Sequence, residues 1–338
     1  MIYPEKIKKG DTIGIISPSN GVKSKKLKKF EKGIEKLNDY GYTVIEDQYV
    51  RNTENGVSSS AFNRSVEFDN AIKNKKLKAL IACSGGDYLI QIMNLIDFNQ
   101  LKKNTKWIQG QSDITPLLFY ITTKLDIATV YSFNAKSFGD DSLPELMLKN
   151  NIEFLNGKTP KQIEYGYKID DDKVEQPWEC ITKEKEFNGR LIGGCLDSLK
   201  DIIGTKYDCV KKFIKKYQED GIVWYFDVAE MTNEDILRTM WQFKNAGWFV
   251  SCKAILFGRI ENEINYTGTT LKDAINYNLF DLYIPIYINT DIGHTDPVHT
   301  LINGSIIKVT KNKDDKHVVE TYFEWKYWLE FVELEMDI

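Results

Sequence analysis

The sequence predicts an α/β protein of two domains, a doubly wound parallel sheet followed by a mixed α/β domain. Three observations carry that prediction. The chain has 338 residues, more than one domain usually holds. Its first half alternates short β-rich runs with helical patterns. Between about 150 and 186 the alternation gives way to charged, weakly periodic sequence, and it resumes afterwards. The expected divisions are therefore 1–155, a linker or loop excursion at 156–188, and 189–338.

In the first domain, strands are expected at 12–17, 43–47, 79–83, 106–110 and 126–130, and helices near 24–40, 62–74, 88–95 and 113–124. Short strands separated by helices pair in parallel through crossovers, which gives a flavodoxin-like sheet covered on both faces. The first helix is rich in lysine (KKLKKFEKG), but Phe30, Ile34 and Leu37 recur at helical spacing, so the lysines read as its solvated face. Ligands in such a sheet sit beyond the carboxyl ends of the strands. Ser17, the stretch from Ser84 to Asp87, and Ser112 all fall there.

The second domain opens with GRLIGGCLDSL and continues with a helix near 207–218 and the apolar strand IVWYF at 222–226. Thr232, with Asp235 three residues on, forms a near relative of a capping box and starts a helix whose inner stripe is Ile236, Met240 and Phe243. Further strands are expected at 254–258, 283–288, 305–310 and 317–325.

Composition narrows the function. Hydrophobic residues make up 42% and charged residues 28%, and the net charge of -4 argues against a nucleic-acid partner. No apolar run approaches a membrane span, and the N-terminus lacks the apolar stretch of a signal peptide before Pro18, so a cytoplasmic protein is expected. The five cysteines, Cys83, Cys180, Cys195, Cys209 and Cys252, are scattered and form no C-x-x-C pair. Neither a disulfide framework nor a zinc site is indicated.

The chemistry centres on KWIQGQSDITPLLFY, residues 106–120, where a strand, a glycine turn, Ser112 and a helix follow one another. This is the layout of a nucleophile elbow, although serine and aspartate are also ordinary helix caps. A serine nucleophile needs a base. Of the three histidines, His317 follows a hairpin-like KNKDDK and reads as exposed and passive; His294, in the polar loop NTDIGHTDPVHT after a strand, is the better base, and His299 competes with it. No set of metal ligands accompanies the pair. The base needs a carboxylate to orient it. Asp227 ends the apolar strand IVWYF and must find a partner or cap the next turn.

The glycine-rich CSGGDYL, residues 83–89, can present backbone N–H groups to an oxyanion, with Gly86 and the Asp113 amide as donors. Gly-Gly-Asp after a strand also suits phosphate cradling, as in nucleotide kinases, but bulky Tyr88 stands where those carry a further glycine. That turn supports a rival reading, a non-catalytic nucleotide- or phosphate-binding protein. Arg259, directly after the strand AILFG, is either a cation for a substrate carboxylate or an ion-pair partner at the surface.

Taken together, PEKIKKGDTIGIISPS (4–19), CSGGDY (83–88), IDF (96–98), GQSDIT (110–115), GRLIGGCL (189–196), WQFKNAGWF (241–249) and GH (293–294) resemble the serine peptidase family of LD-carboxypeptidase (muramoyltetrapeptide carboxypeptidase) and the microcin C self-immunity peptidase. The resemblance covers nearly the whole chain. It implies Ser112 as nucleophile, His294 as base and, by matching Ile236 and Arg238 in the following helix, Asp227 at a position where most relatives carry Glu. Glu230 stands as a substitute acid. Cys195 replaces an Asn common among relatives, which puts substrate contacts there in question. The resemblance further implies a cleft between two domains, homodimers, and chemistry that needs no metal or organic cofactor. The implied substrate is a murein tetrapeptide or a peptidyl-nucleotide amide.

Overall fold

A computed structural model describes residues 1–170 and 172–323; the end of the strand expected at 317–325 and the rest of the C-terminus lie outside the described residues. The first sheet contains β1 (Thr12–Ile16), β2 (Thr43–Glu46), β3 (Leu77–Ala82), β4 (Trp107–Gly110) and β5 (Thr129–Tyr131), all parallel and ordered 2-1-3-4-5. This is the predicted doubly wound arrangement. A strand from far along the chain, Leu301–Asn303, pairs antiparallel with β5 and closes that edge.

Helices α1 (Leu27–Asp39) and α2 (Ala61–Lys73) fall close to expectation, and Phe30 and Leu37 of α1 are fully buried. The helix expected at 88–95 does not form. Residues 89–91 make a single 3-10 turn, and α3 is Phe98–Lys103, capped by the Asp97 side chain. Backbone groups at the start of the expected helix are taken by other partners: the Tyr88 carbonyl accepts from Arg64 and the Leu89 amide donates to Asp113. After α4 (Thr115–Tyr120), a π-helical turn at Ile121–Leu125 ends on Asp126 in the left-handed region, φ 63°. That turn delays β5 relative to the expected 126–130. The next helix is α5 (Glu145–Leu155).

The stretch 156–188, read as a linker, instead supplies both edges of the second sheet. Its strands are β6 (Gln162–Ile163), β7 (Tyr167–Ile169), β8 (Lys173–Glu175) and β9 (Glu179–Cys180). The sheet itself is built on β10 (Phe187–Cys195), followed by α6 (Leu196–Leu199), α7 (Val210–Lys216), β11 (Ile222–Asp227), α8 (Asn233–Asn245), β12 (Cys252–Gly258), α9 (Leu271–Leu279), β13 (Ile286–Thr290), β14 (the edge strand Leu301–Asn303), β15 (Ile306–Lys311) and β16 (His317–Tyr322). Its order is β6-β16-β15-β10-β11-β12-β13-β9, with β10 to β13 parallel and the rest antiparallel. Helix α8 carries the full capping box of Thr232 and Asp235, and Ile236, Met240 and Phe243 are fully buried beneath it. Strand β13 starts later than the expected 283 because Tyr283 is left-handed (φ 53°) and Pro285 has no amide to donate. No helix among the described residues is long and apolar enough to cross a membrane.

The two sheets share apolar packing. Phe119 of α4 stacks on Trp248 at 5.5 Å and on Trp224 of β11 at 6.1 Å, and Tyr131 of β5 meets Tyr225 of β11 at 5.4 Å. Every residue of α4 except Tyr120 is buried. The helix behind Ser112 is thus clamped from both sides, and truncating a buried aromatic such as Phe119 would cost about 3–5 kcal/mol.

Candidate active site

Strand β4 ends at Gly110, whose Cβ position is closed by Ile114 and Ala82, so the chain turns there without a side chain. Ser112 follows at φ 72°, a left-handed conformation that non-glycine residues adopt at a cost of about 1–3 kcal/mol. The strain is held by surrounding bonds. Asn134 Oδ1 accepts from the Gln111 amide at 3.1 Å, the Ser112 amide donates to the Tyr131 hydroxyl at 3.3 Å, and Thr115 Oγ1 donates to the Ser112 carbonyl at 2.7 Å. A sharp strand-to-helix turn that raises a serine in this way has the geometry of a nucleophile elbow.

Asp113, the next residue, is buried, and its carboxylate accepts from the Ser19 hydroxyl at 2.5 Å and the Leu89 amide at 2.8 Å. It therefore fastens the elbow to both the SPS turn and the CSGGDY loop. Burial pushes its carboxyl above the usual range, against the pull of these donors. Gly85 packs directly on the serine, since a Cβ there would lie 3.1 Å from Ser112 Oγ. Gly86 takes φ 154° and leaves no room for a side chain beside Ser19.

The carboxylate expected to serve as the acid comes from the other sheet. Asp227 ends β11 with its side chain fully buried, in register with Cys195 at the end of β10. It accepts from the Tyr131 hydroxyl at 2.5 Å, from the His294 amide at 3.1 Å and from His294 Nδ1 at 2.9 Å. Gly293 (φ 99°) is required here, because a Cβ would strike the Asp227 carboxylate. With Nδ1–H directed at Asp227, Nε2 of a neutral ring is the free acceptor. The ring keeps 30% of its surface exposed. Burial favours the neutral imidazole, but the Asp227 charge and hydrogen bond outweigh it, and His294 titrates above the ordinary 6.5.

Ser112 and His294 line one cleft of about 710 Å³, together with Gly86, Asp113, Cys195 and Glu230. Gln111 donates from its side chain to the Gly293 carbonyl and so ties the serine turn to the histidine loop. Tyr131 makes a second bridge between the Ser112 amide and Asp227. Burial, then the Asp227 charge, pushes its hydroxyl well above the usual range, so it remains a donor. The sequence gives Gln111 no role beyond its place in the GQSDIT turn, and it does not point to Tyr131. The available signal was position: both sit at the carboxyl ends of adjacent strands.

The remaining predicted residues separate. Cys195 is buried in register with Asp227, with its thiol 3.5 Å from Asp197, and burial and Asp227 hold that thiol well above the usual range. Cys195, Asp227 and His294 bring potential ligand atoms within 4.8 Å of one another, but His294 Nδ1 and Asp227 are already joined by a hydrogen bond. Glu230 lies exposed at the cleft; its amide, like that of Ala229, is fixed by Asp197, and His294 turns to Asp227 instead.

Arg259 is not a cleft cation. It is fully buried, pairs with Asp291 and donates to the Pro297 and Gln176 carbonyls, because β12 delivers it into the interior. His299 belongs to the same interior network, with Nε2 3.2 Å from the Ile163 carbonyl, and burial holds it below the ordinary imidazole value. His317, expected to be exposed, is also buried. It starts β16 facing inward, bonds Glu164 through Nδ1 at 2.7 Å and stacks on Trp178.

The lysine-rich stretch also departs from expectation. Phe30 and Leu37 face the core as predicted, but Lys23, Lys25, Lys26 and Lys29 line the cleft.

The chain matches the model of the LD-carboxypeptidase N-terminal domain over residues 13–132 and that of the C-terminal domain over 188–309. Among curated proteins it is 25% identical over 316 residues to a putative carboxypeptidase of Vibrio cholerae, covering 88% of this chain and 92% of that one. It is 24% identical over 328 residues to a microcin self-immunity protein of Escherichia coli, covering 91% and 92%. The solved structure of an MccF-like protein from Bacillus anthracis superposes with a TM-score of 0.82 at 22% identity, over 95% of this chain and all of that one.

Proposed function

The chain belongs to the LD-carboxypeptidase family of serine peptidases, and we propose that it hydrolyses an amide through an acyl-enzyme formed on Ser112. The reaction assigned to it is LD-carboxypeptidase cleavage of the terminal residue from a murein tetrapeptide. His294 Nε2 takes the Ser112 proton as Oγ attacks the carbonyl, passes it to the leaving amine, and then activates the water that releases the acyl group. Asp227 orients the ring and stabilises the imidazolium. The Gly86 and Asp113 amides receive the oxyanion.

One observation carries this reading: a histidine held by a buried aspartate opens onto the same cleft as a serine in a left-handed turn. A capping serine would have no need of the strained φ. The shorter carboxylate at 227 is offset by its setting, since Tyr131 and the His294 amide fix both oxygens.

A second reading, cleavage of a peptidyl-nucleotide amide, is favoured by the lysines along the cleft and by the similarity to a microcin self-immunity protein. Incubation with a muropeptide tetrapeptide and, separately, with an aminoacyl-nucleotide amide, followed by mass spectrometry, decides between them. Fluorophosphonate labelling tests the nucleophile: wild type should label and Ser112→Ala should not. Absence of labelling in the wild type would defeat the hydrolase reading.

The proposal includes a cytoplasmic homodimer. Trp241, Tyr277, Phe280 and Tyr283 are 59–90% exposed at α8, α9 and the turn after α9, and large exposed aromatics suit a face covered by a second copy. Light scattering of the purified chain tests it.

A further inference from the structure

With Arg259 sealed in the interior, the cleft needs another anchor for a charged substrate, and Lys136 occupies the place for one. It lies in the turn after β5 and lines the cleft with Ser112 and His294. Its side chain is half-buried and its Nζ reaches Ser84 Oγ at 3.3 Å; among the described residues no carboxylate pairs with it. The neighbouring Lys29, by contrast, is paired with Asp140. A desolvated ammonium without a counter-ion is unfavourable, and any oxyanion that reaches it is bound more strongly than at the surface.

Its position relative to the chemistry is defined by the loop it touches. Ser84 precedes Gly85, and Gly85 packs against Ser112. The Lys136 charge also acts on His294. Burial lowers the proton affinity of Lys136, with Lys29, Lys26 and Lys23 adding to the effect, as expected of an amine waiting in a positive field. Lys23, Lys25 and Lys26 are exposed and supply long-range attraction more than a fixed contact.

We propose that Lys136 is a specificity-determining residue that receives an oxyanion of the substrate, a terminal carboxylate or a phosphate, close to the amide presented to Ser112. This rests on the hydrolase reading for its substrate, but the anion site itself can be measured without turnover.

The test compares unfolding midpoints of wild type, Lys136→Met and Lys136→Arg with N-acetyl-D-alanine, with its neutral carboxamide, and with inorganic phosphate. A ligand at about ten times its Kd should raise the wild-type midpoint by about 2 °C. The carboxylate arm, the phosphate arm or both should do so, and which one identifies the source of the oxyanion. Lys136→Arg should keep most of the rise and Lys136→Met should lose it. The midpoints without ligand and the arginine variant separate lost binding from lost folding.

In turnover, Lys136→Met should lose roughly 10–100-fold in kcat/KM on the charged substrate, mainly through KM. The proposal is overturned if neither anion shifts the wild type, if the carboxamide shifts it equally, or if Lys136→Met responds as wild type does. Failure of wild-type Ser112 to label with fluorophosphonate would remove the hydrolase reading and leave the anion measurement standing.

Discussion

Two histidine–carboxylate pairs of nearly equal geometry sit in different settings. His294 meets Asp227 at 2.8 Å and His317 meets Glu164 at 2.7 Å. The His294 ring opens onto the cleft; His317, with side-chain exposure of 6%, lies against Trp178 within a sealed network that also holds Arg259, Asp291 and His299. An ion-paired imidazole is therefore not by itself a catalytic group. Access to the cleft separates the two: on the proposed reading the open ring is the base, while the same bond in the interior joins strands around Trp178.

The largest expected effect tests that distinction directly. His294→Ala should lower kcat/KM per folded molecule by about 10³-fold or more, because it removes the proposed base from an open cleft, and it should also lower Tm, because it leaves the buried Asp227 without its imidazole. Activity that survives at the wild-type level would merge the two pairs into one class. Tyr131→Phe should cost about 10–100-fold in kcat with KM held, since the hydroxyl positions Asp227 and the Ser112 turn without touching substrate. His317→Ala should do the reverse: a loss of about 3 kcal/mol in denaturant unfolding, with kcat per folded molecule kept within a few-fold, because it leaves Glu164 buried without its partner.

The pairs should also separate by pH. His294 titrates above 6.5 in the folded protein, so its stabilising contribution is full below the unfolded value and is lost as pH rises through the folded one. Because catalysis needs the neutral ring, the rising limb of kcat/KM should lie above 6.5, and Asp227→Asn should move it down. For Glu164, burial raises the carboxyl but the His317 hydrogen bonds prevail and hold it below the ordinary value. Its contribution is present above the unfolded glutamate value and fades as pH falls through the folded one, so unfolding in acid should report the interior pair while rates near neutrality report the cleft. The smallest effect belongs to Glu230→Gln, expected to stay within about twofold in kcat/KM, since Asp227, and not Glu230, holds the His294 ring.

Much of the fold was legible along the chain because its signals are local. Alternating β and helical patterns fixed β1 to β4 within a few residues, and the capping box at Thr232 marked the start of α8. The failures were non-local. In place of the helix expected at 88–95, a single 3-10 turn is tied to Arg64 and Asp113, and the charged stretch at 156–188 became sheet edge because β13 and β16 offered unpaired backbone to it. Strand β14 joined the first sheet from more than a hundred residues away.

By itself the sequence determined which residues could do chemistry: a serine after a glycine turn, a histidine in a polar loop and an aspartate ending an apolar strand. Residue type and local spacing suffice for that, because an elbow or a strand end is specified by its immediate neighbours. Only the tertiary structure decided which charged groups are open to a substrate. It sealed Arg259 and His317 inside and set Lys29 of α1, the lysines just before that helix and Lys136 along the cleft, because burial and pairing depend on what the rest of the chain packs against each side chain.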